Sequence, residues 1–209
     1  MALKIQCFTF NGFQENSYVI SDQNGTGIII DPGCYSREEE NDLADYLSAN
    51  KIIPVALLNT HAHIDHVLGC NFILNKYGVD FYIHEKDINT LEAVQSYAHV
   101  YGFPSYIPPK TPNKLLKGGE ILTFGDISLE VLFTPGHCVG HVVYYNKENS
   151  FVINGDVLFA GSFGRVDLPG GDLEVLKDSI FNTMFNSTND KVNVSIIYSD
   201  MIFIYPEFT

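Results

Sequence analysis

The feature that most constrains this chain is a short apolar run that opens directly into a cluster of metal-binding side chains. Val55-Ala56-Leu57-Leu58 has the length and composition of a buried strand. Two residues later comes Thr60-His61-Ala62-His63-Ile64-Asp65-His66, holding three of the seven histidines. Two imidazoles at i and i+2 beyond a strand can point at one ion. Asp65 and His66 can then turn toward a second position beside it. Neutral imidazole and carboxylate are the ligands that zinc accepts in a roughly tetrahedral shell. Clustered His and Asp of this kind point to chemistry rather than to a polar surface turn.

Two further segments repeat the pattern of a strand followed by a ligand. His137 follows Thr134-Pro135-Gly136, where Pro-Gly forces a sharp turn after the run ending at Phe133. Asp156 follows Asn154-Gly155, and its two oxygens could each bind one ion. The remaining histidines are read as structural. His84 ends an expected strand, and His99 sits near a helix end, where a cation is favoured. His141, four residues past His137, is weighed as a lining residue but assigned a structural role.

Around these segments the pattern predicts strands at 3–10, 17–21, 27–30, 79–83, 142–145, 151–154 and 192–198, with a hairpin over 120–133. Ser36-Arg37-Glu38-Glu39 is a capping-box sequence opening a helix that carries Leu43, Tyr46 and Leu47 on one face. Further helices are expected at 66–77, closed by Gly78, at 85–98, and after Asp172, where Leu173, Leu176, Ile180 and Met184 share a stripe. Residues 102–119, with four prolines and three glycines, read as one long loop. Strands come in two batches, each followed by helices. That order suggests an α/β fold in which two sheets pack together with helices outside, as a single domain over 1–209.

Composition narrows the function. A formal net charge of −13 with scattered Lys and Arg disfavours nucleic-acid binding. No stretch approaches the roughly 20 apolar residues of a membrane helix. The start alternates like a strand and lacks a secretory layout, so the protein is expected to be cytoplasmic. Cys7, Cys34, Cys70 and Cys138 form no C-x-x-C pair, which argues for reduced thiols.

Taken in order, H-x-H-x-D-H at 61–66, T-P-G-H at 134–137 and G-D at 155–156 resemble the ligand set of the metallo-β-lactamase superfamily. The stretch 153–172 is similar to that of short glyoxalase II-like proteins, and Ile30-Asp31-Pro32-Gly33 resembles the family's early turn. The resemblance runs from about residue 16 to residue 199. It implies an αββα sandwich of two mixed sheets with outer helices. It also implies that His61, His63 and His137 hold a first metal, that Asp65 and His66 hold a second, and that Asp156 bridges. Two zinc ions are expected, with iron or manganese as alternatives. After Ser199 the chain departs from the family pattern. A last histidine in a Tyr-Pro-Gly-His-Gly-like segment is expected, yet no histidine follows His141. The second site is therefore expected to be weakened, and turnover to be lower than with that histidine restored.

The chemistry implied is hydrolysis. Bound metal lowers the pKa of a water from about 15.7 toward about 7, giving a hydroxide that attacks an acyl carbonyl. Asp65 would orient it and move a proton, and a thiolate leaves without a strong general acid. A small thioester such as a hydroxyacylglutathione suits the site. Arg165 could contact substrate, although an ion pair with Asp167 is the favoured role. Two other readings stand beside this one. One is an iron persulfide dioxygenase using His61, His137 and Asp156 as two histidines and a carboxylate. The other is a metal-binding protein with weak or no catalysis. A β-lactamase is disfavoured, because those enzymes are normally exported and usually carry Cys where Asp156 stands.

Overall fold

A computed structural model describes residues 2–187 together with the backbone of 195–197 and 202–204. Two six-stranded sheets face each other. The first runs, from edge to edge, β1 (Lys4–Phe10), β2 (Glu15–Ser21), β3 (Thr26–Ile30), β4 (Ile53–Leu58), β5 (Asp80–His84) and β6 (Lys114–Leu116). Its first three strands pair antiparallel, and from β3 to β6 the pairing is parallel. The second contains β7 (Ile121–Phe124), β8 (Ile127–Phe133), β9 (Val142–Asn146), β10 (Phe151–Ile153), β13 (Ser195–Ile197) and β14 (Ile202–Ile204). Its order is β14-β13-β10-β9-β8-β7, with one parallel pair, β10 and β13. A two-stranded hairpin, β11 (Leu158–Phe159) with β12 (Ser162–Phe163), stands apart.

Strand periodicity explains why three separate apolar clusters form. Successive side chains point to opposite faces, so a strand with both faces covered must be apolar throughout. In β3, Ile28 and Ile30 face the second sheet with Ala56, Leu58, Leu129, Val131 and Tyr144, while Ile29 faces the other way with Leu57 and Phe81. On that outer face lie α1 (Arg37–Ala49), α3 (Cys70–Tyr77) and α4 (Ile88–Tyr97), which contribute Leu43, Leu47, Ile73, Leu74, Leu91 and Val94. The outer face of the second sheet, with Leu132, Val143 and Val152, is covered by Leu176, Ile180 and Met184. The fold is therefore the αββα sandwich that the family resemblance implied, with helices on both outer faces.

The helices begin where their caps place them. Ser36 and Glu39 form the capping box of α1, each side chain bonding the other residue's backbone N–H. Asp172 accepts hydrogen bonds from the N–H groups of Glu174 and Val175 and starts α5 (Leu173–Asp178), which continues through a π-helical stretch (Ser179–Met184) into α6 (Phe185–Ser187).

Several expectations are corrected. The helix expected over 66–77 is two pieces, α2 (Ile64–Val67) and α3, separated at Leu68-Gly69. There the chain passes close to Cys34 and Pro32, and a Cβ on Gly69 would lie 2.4 Å from the Cys34 sulfur. The 102–119 loop contains β6, a sheet-edge strand three residues long that carries no readable alternation. The 158–163 hairpin and β14 were not anticipated. Of the last expected strand, Ser195–Ile197 is seen as β13, and residues 192–194 and 198 lie outside the described residues. Among the described residues no helix is long and apolar enough to cross a membrane.

Candidate metal centre

The expected ligands meet where β4, β8 and β10 end. Beyond β4, the chain is fixed by Asp31, the residue that follows β3. Asp31 has a positive φ of 48°, a conformation that a non-glycine residue holds only when its surroundings impose it. Here its N–H bonds the Leu58 carbonyl (3.0 Å), and its carboxylate accepts from the Thr60 N–H (2.7 Å), the Thr60 hydroxyl (2.6 Å) and the Asn59 amide (3.1 Å). The Thr60 hydroxyl also lies 3.1 Å from His61 Nδ1. The residue between the two leading histidines is held as well, since the Ala62 N–H donates to Asp87 Oδ2 at 2.6 Å. Asp87 is fully buried, and the same oxygen takes a long contact from Cys138, next to His137. One carboxylate thus ties together the two loops that carry three of the imidazoles.

The donor atoms converge. Those of His61, His63 and His137 lie within 4.8 Å of one another, as do those of His61, His66 and Asp156. Asp156 spans the two groups, with Oδ1 3.3 Å from His66 Nε2 and Oδ2 3.5 Å from His137 Nε2. Asp65 Oδ2 stands 3.8 Å from His66 Nε2. His137 Nδ1 is 2.8 Å from the Arg165 carbonyl, which can only accept, so that nitrogen carries the proton and Nε2 keeps its lone pair. The structure thus brings five of the six expected ligand residues into two donor groups that share His61, with Asp65 beside His66.

Charge and protonation at the site call for a cation. Burial, together with the neighbouring imidazoles, holds His61 well below the ordinary histidine range and brings His63 down to about 3, so both stay neutral. Burial would also lower His66, but Asp65, Asp156 and Asp31 around it push its pKa well up. Burial would raise Asp156, yet His66 and His137 hold its carboxyl below the usual range. Burial raises Asp65. His61 Nε2 is buried without a hydrogen-bond partner. An orphaned imidazole lone pair facing other imidazoles and a shared carboxylate fits a divalent metal such as zinc.

His141, read from the sequence as structural, has a ring that spans two loops of the site. Its Nδ1 meets the Thr134 hydroxyl (3.2 Å), and its Nε2 accepts from the Asp156 N–H (3.1 Å). His84 is buried, stacks on Phe133 and accepts from the Lys86 N–H, in line with its structural reading. Arg165 is exposed and pairs with Asp167 through two hydrogen bonds of 2.7 and 2.8 Å, so its guanidinium is engaged in the expected ion pair rather than free. Among the described residues the cysteines form no disulfide. The residues 198–209, on which the expectation of a weakened second site rests, lie outside the described side chains.

Sequence reasoning passed over Glu15, Asn59, Thr60 and Asp87 as parts of the site. Glu15 was detectable in principle as an acid at the start of a strand otherwise buried throughout its second half. Beside the histidines a cavity of about 290 Å³ opens, lined by Glu15, Asp65, His66, Asp156, Phe13 and Phe159 among others.

Comparison with known proteins agrees with this geometry. Residues 10–195 match the family model of the metallo-beta-lactamase superfamily. The chain is 31% identical over 197 residues to the hydroxyacylglutathione hydrolase GloC of Haemophilus influenzae (strain ATCC 51907 / DSM 11121 / KW20 / Rd), covering 92% of this chain and 90% of that one. Among solved structures, the BLEG-1 B3 metallo-beta-lactamase superposes with a TM-score of 0.82 at 30% identity, covering 92% of this chain and 90% of that one. TTHA1623 in a di-iron-bound form gives 0.75 at 34% identity over 85% of this chain and 84% of that one.

Proposed function

Since this chain belongs to the metallo-beta-lactamase superfamily, we propose that it is a metal-dependent hydrolase that cleaves a small thioester, such as a hydroxyacylglutathione, in the cytoplasm. The observation that carries this reading is the Asp156 carboxylate, whose two oxygens reach the two donor groups at 3.3 and 3.5 Å. His61, His63 and His137 would hold one ion, Asp65 and His66 the other, with Asp156 between them. Zinc suits these donors, and the similarity to a di-iron-bound protein supports iron as an alternative. When bound, such ions supply Lewis acidity toward a carbonyl oxygen and acidify water at neutral pH.

The chain's own groups do the rest. The neutral imidazoles of His61 and His63 keep their lone pairs available at physiological pH. Asp65 lines the cavity with a carboxyl raised by burial, which suits it to orient a water and take its proton. Phe13 and Phe159 flank the cavity and give the acyl portion an apolar wall. Arg165 reaches the substrate by exchanging its exposed partner Asp167. A thiolate leaves without protonation by a strong acid, so the absence of a further acid from this scheme is no obstacle.

Similarity to the BLEG-1 B3 metallo-beta-lactamase favours a second reading, β-lactam hydrolysis. Metal content by elemental analysis, with assays on S-lactoylglutathione, a chromogenic β-lactam and oxygen uptake with a persulfide, separates these. Two ions per chain and turnover of the thioester are expected. Metal binding with no thioester turnover would refute the proposal. β-Lactam turnover would then establish the second reading, oxygen uptake with iron would establish a dioxygenase, and neither would leave a metal-binding protein.

A further inference from the structure

Glu15 is an acid beside the site that the hydrolytic scheme does not use. It opens β2, and its side chain is fully buried. The strand's two-residue period puts Ser17 on the same face, and the Ser17 hydroxyl donates to Glu15 Oε2 (2.9 Å) while accepting from the Gly33 N–H (2.8 Å). Glu15 Oε1 has no hydrogen-bond partner. A buried carboxylate oxygen left in that condition requires an explanation. The explanation faces it, because His66 Nδ1, also buried and without a hydrogen-bond partner, lies 3.6 Å away.

Asp31 Oδ2 is nearer to the same nitrogen, at 3.1 Å. Its carboxylate, however, already accepts from Asn59, the Thr60 N–H and the Thr60 hydroxyl. The opposite edge of the ring, Nε2, faces Asp156 and Asp65. An imidazole that gives its Nε2 lone pair to a cation carries its proton on Nδ1, and that N–H needs an acceptor to fix the tautomer and the ring plane.

We propose that Glu15 is a positioning residue for the second metal: its Oε1 joins Asp31 in accepting the Nδ1 proton of His66 and so aims Nε2 at the ion. Glu15 is not a ligand of that ion, since it stands on the Nδ1 edge of the ring. The donor atoms of Glu15, Asp31 and His66 lie within 4.8 Å of one another, but a cation on that edge would have to displace the hydrogen bonds that Asp31 already accepts. The inference rests on the two-metal reading above.

The test uses the full chain, stripped of metal and titrated with Zn2+ against a competing chelator, as wild type, Glu15→Leu and Glu15→Gln. Leucine removes the acceptor; glutamine keeps an acceptor but not the charge. The expected result is a first-ion affinity equal in all three chains, with the second ion held about 10–100-fold more weakly in E15L and by an intermediate factor in E15Q. Should E15L fail to fold, the E15Q shift confined to the second ion decides. A second-ion affinity within about twofold of wild type in the folded variants overturns the proposal, as does equal weakening of both ions, which marks a merely structural residue. A wild-type chain that takes one equivalent refutes the two-metal reading before any variant is compared, and Glu15 then has no second ion to serve.

Discussion

Replacing Gly136 by alanine tests whether the turn before His137 sets the geometry of the first metal site. Gly136 has φ of +125°, and a Cβ there would stand 2.3 Å from the backbone nitrogen and 2.4 Å from the Cα of Leu176, in α5. Neither atom is a flexible side-chain end. Ordinary contact begins at 3.4 Å, so the loop and the helix must separate by about 1 Å. Metal–ligand distances tolerate only about 0.2 Å, and His137 is the next residue. The backbone conformation alone costs roughly 1–3 kcal/mol in a residue with a Cβ. For a chain of this size that lowers the melting temperature by roughly 2–12 °C. The clash adds to it. Gly102→Ala is the control: φ is +92° there, with nothing within 4 Å of the added carbon, so only the backbone cost applies. Thermal unfolding in excess chelator, which removes linkage to metal, measures stability, and zinc competition measures the site. G136A should melt below G102A and bind its first ion more than about tenfold more weakly, while G102A binds normally. Equal melting temperatures for the two variants, with first-ion affinity intact in both, would show that the turn does not govern the ligand.

Further perturbations address other parts of the site. Asp156→Asn takes a carboxylate from between His66 and His137 and should abolish tight binding of the second ion, lowering turnover at least about 100-fold; two ions by elemental analysis at normal affinity would contradict the bridging role. His141→Ala leaves the part-buried Asp156 N–H without its acceptor and should cost about 1 kcal/mol in denaturant unfolding with the metal count unchanged, whereas loss of an ion would make it a ligand. Arg165→Ala should leave the melting temperature unaltered and raise KM for a thioester with kcat retained; unchanged kinetics would reduce Arg165 to its pair with Asp167. His66 is raised and must give up its proton to bind, whereas His61 is depressed and His63 lies at about 3. As pH falls, the second ion should therefore dissociate first, its affinity dropping about tenfold per pH unit below the His66 pKa, while the first persists to lower pH. Simultaneous loss of both in a pH-dependent metal titration would refute that order.

How much of this was readable in advance depends on whether the signal is local. Ile28-Ile29-Ile30 and Ala56-Leu57-Leu58 are apolar because both faces of their strands are covered, so their burial shows in the residues themselves; Val55, expected to be buried with the latter run, is 39% exposed because the sheet is covered only from Ala56 onward. The capping box at Ser36 and the αL-closing Gly78 mark helix ends by their own chemistry. The six candidate metal ligands stand in three short motifs, each at the end of a strand. Their convergence followed from the family resemblance, and the folded chain brings them together. By contrast β6 and the two strands of the 158–163 hairpin are too short to carry a period, and β6 takes its place from pairing with β5, about 32 residues earlier in the chain.

The supporting groups are the clearest case of the second kind. Asp31, Asp87 and Glu15 lie 29, 25 and 51 residues from the groups they serve at Thr60, Ala62 and His66, if one counts along the chain. Local sequence marks Asp31 only as part of a turn and Glu15 only as the start of a strand, and nothing local marks Asp87; none shows which group it serves. The amino-acid sequence by itself determined which side chains can bind metal and which strands deliver them, because ligand type and apolar period are properties of short segments. Only the tertiary structure decided which carboxylates are buried behind those ligands and which atoms remain without partners. Burial and hydrogen-bond satisfaction depend on every element packed around a residue, and no short stretch of sequence contains that information.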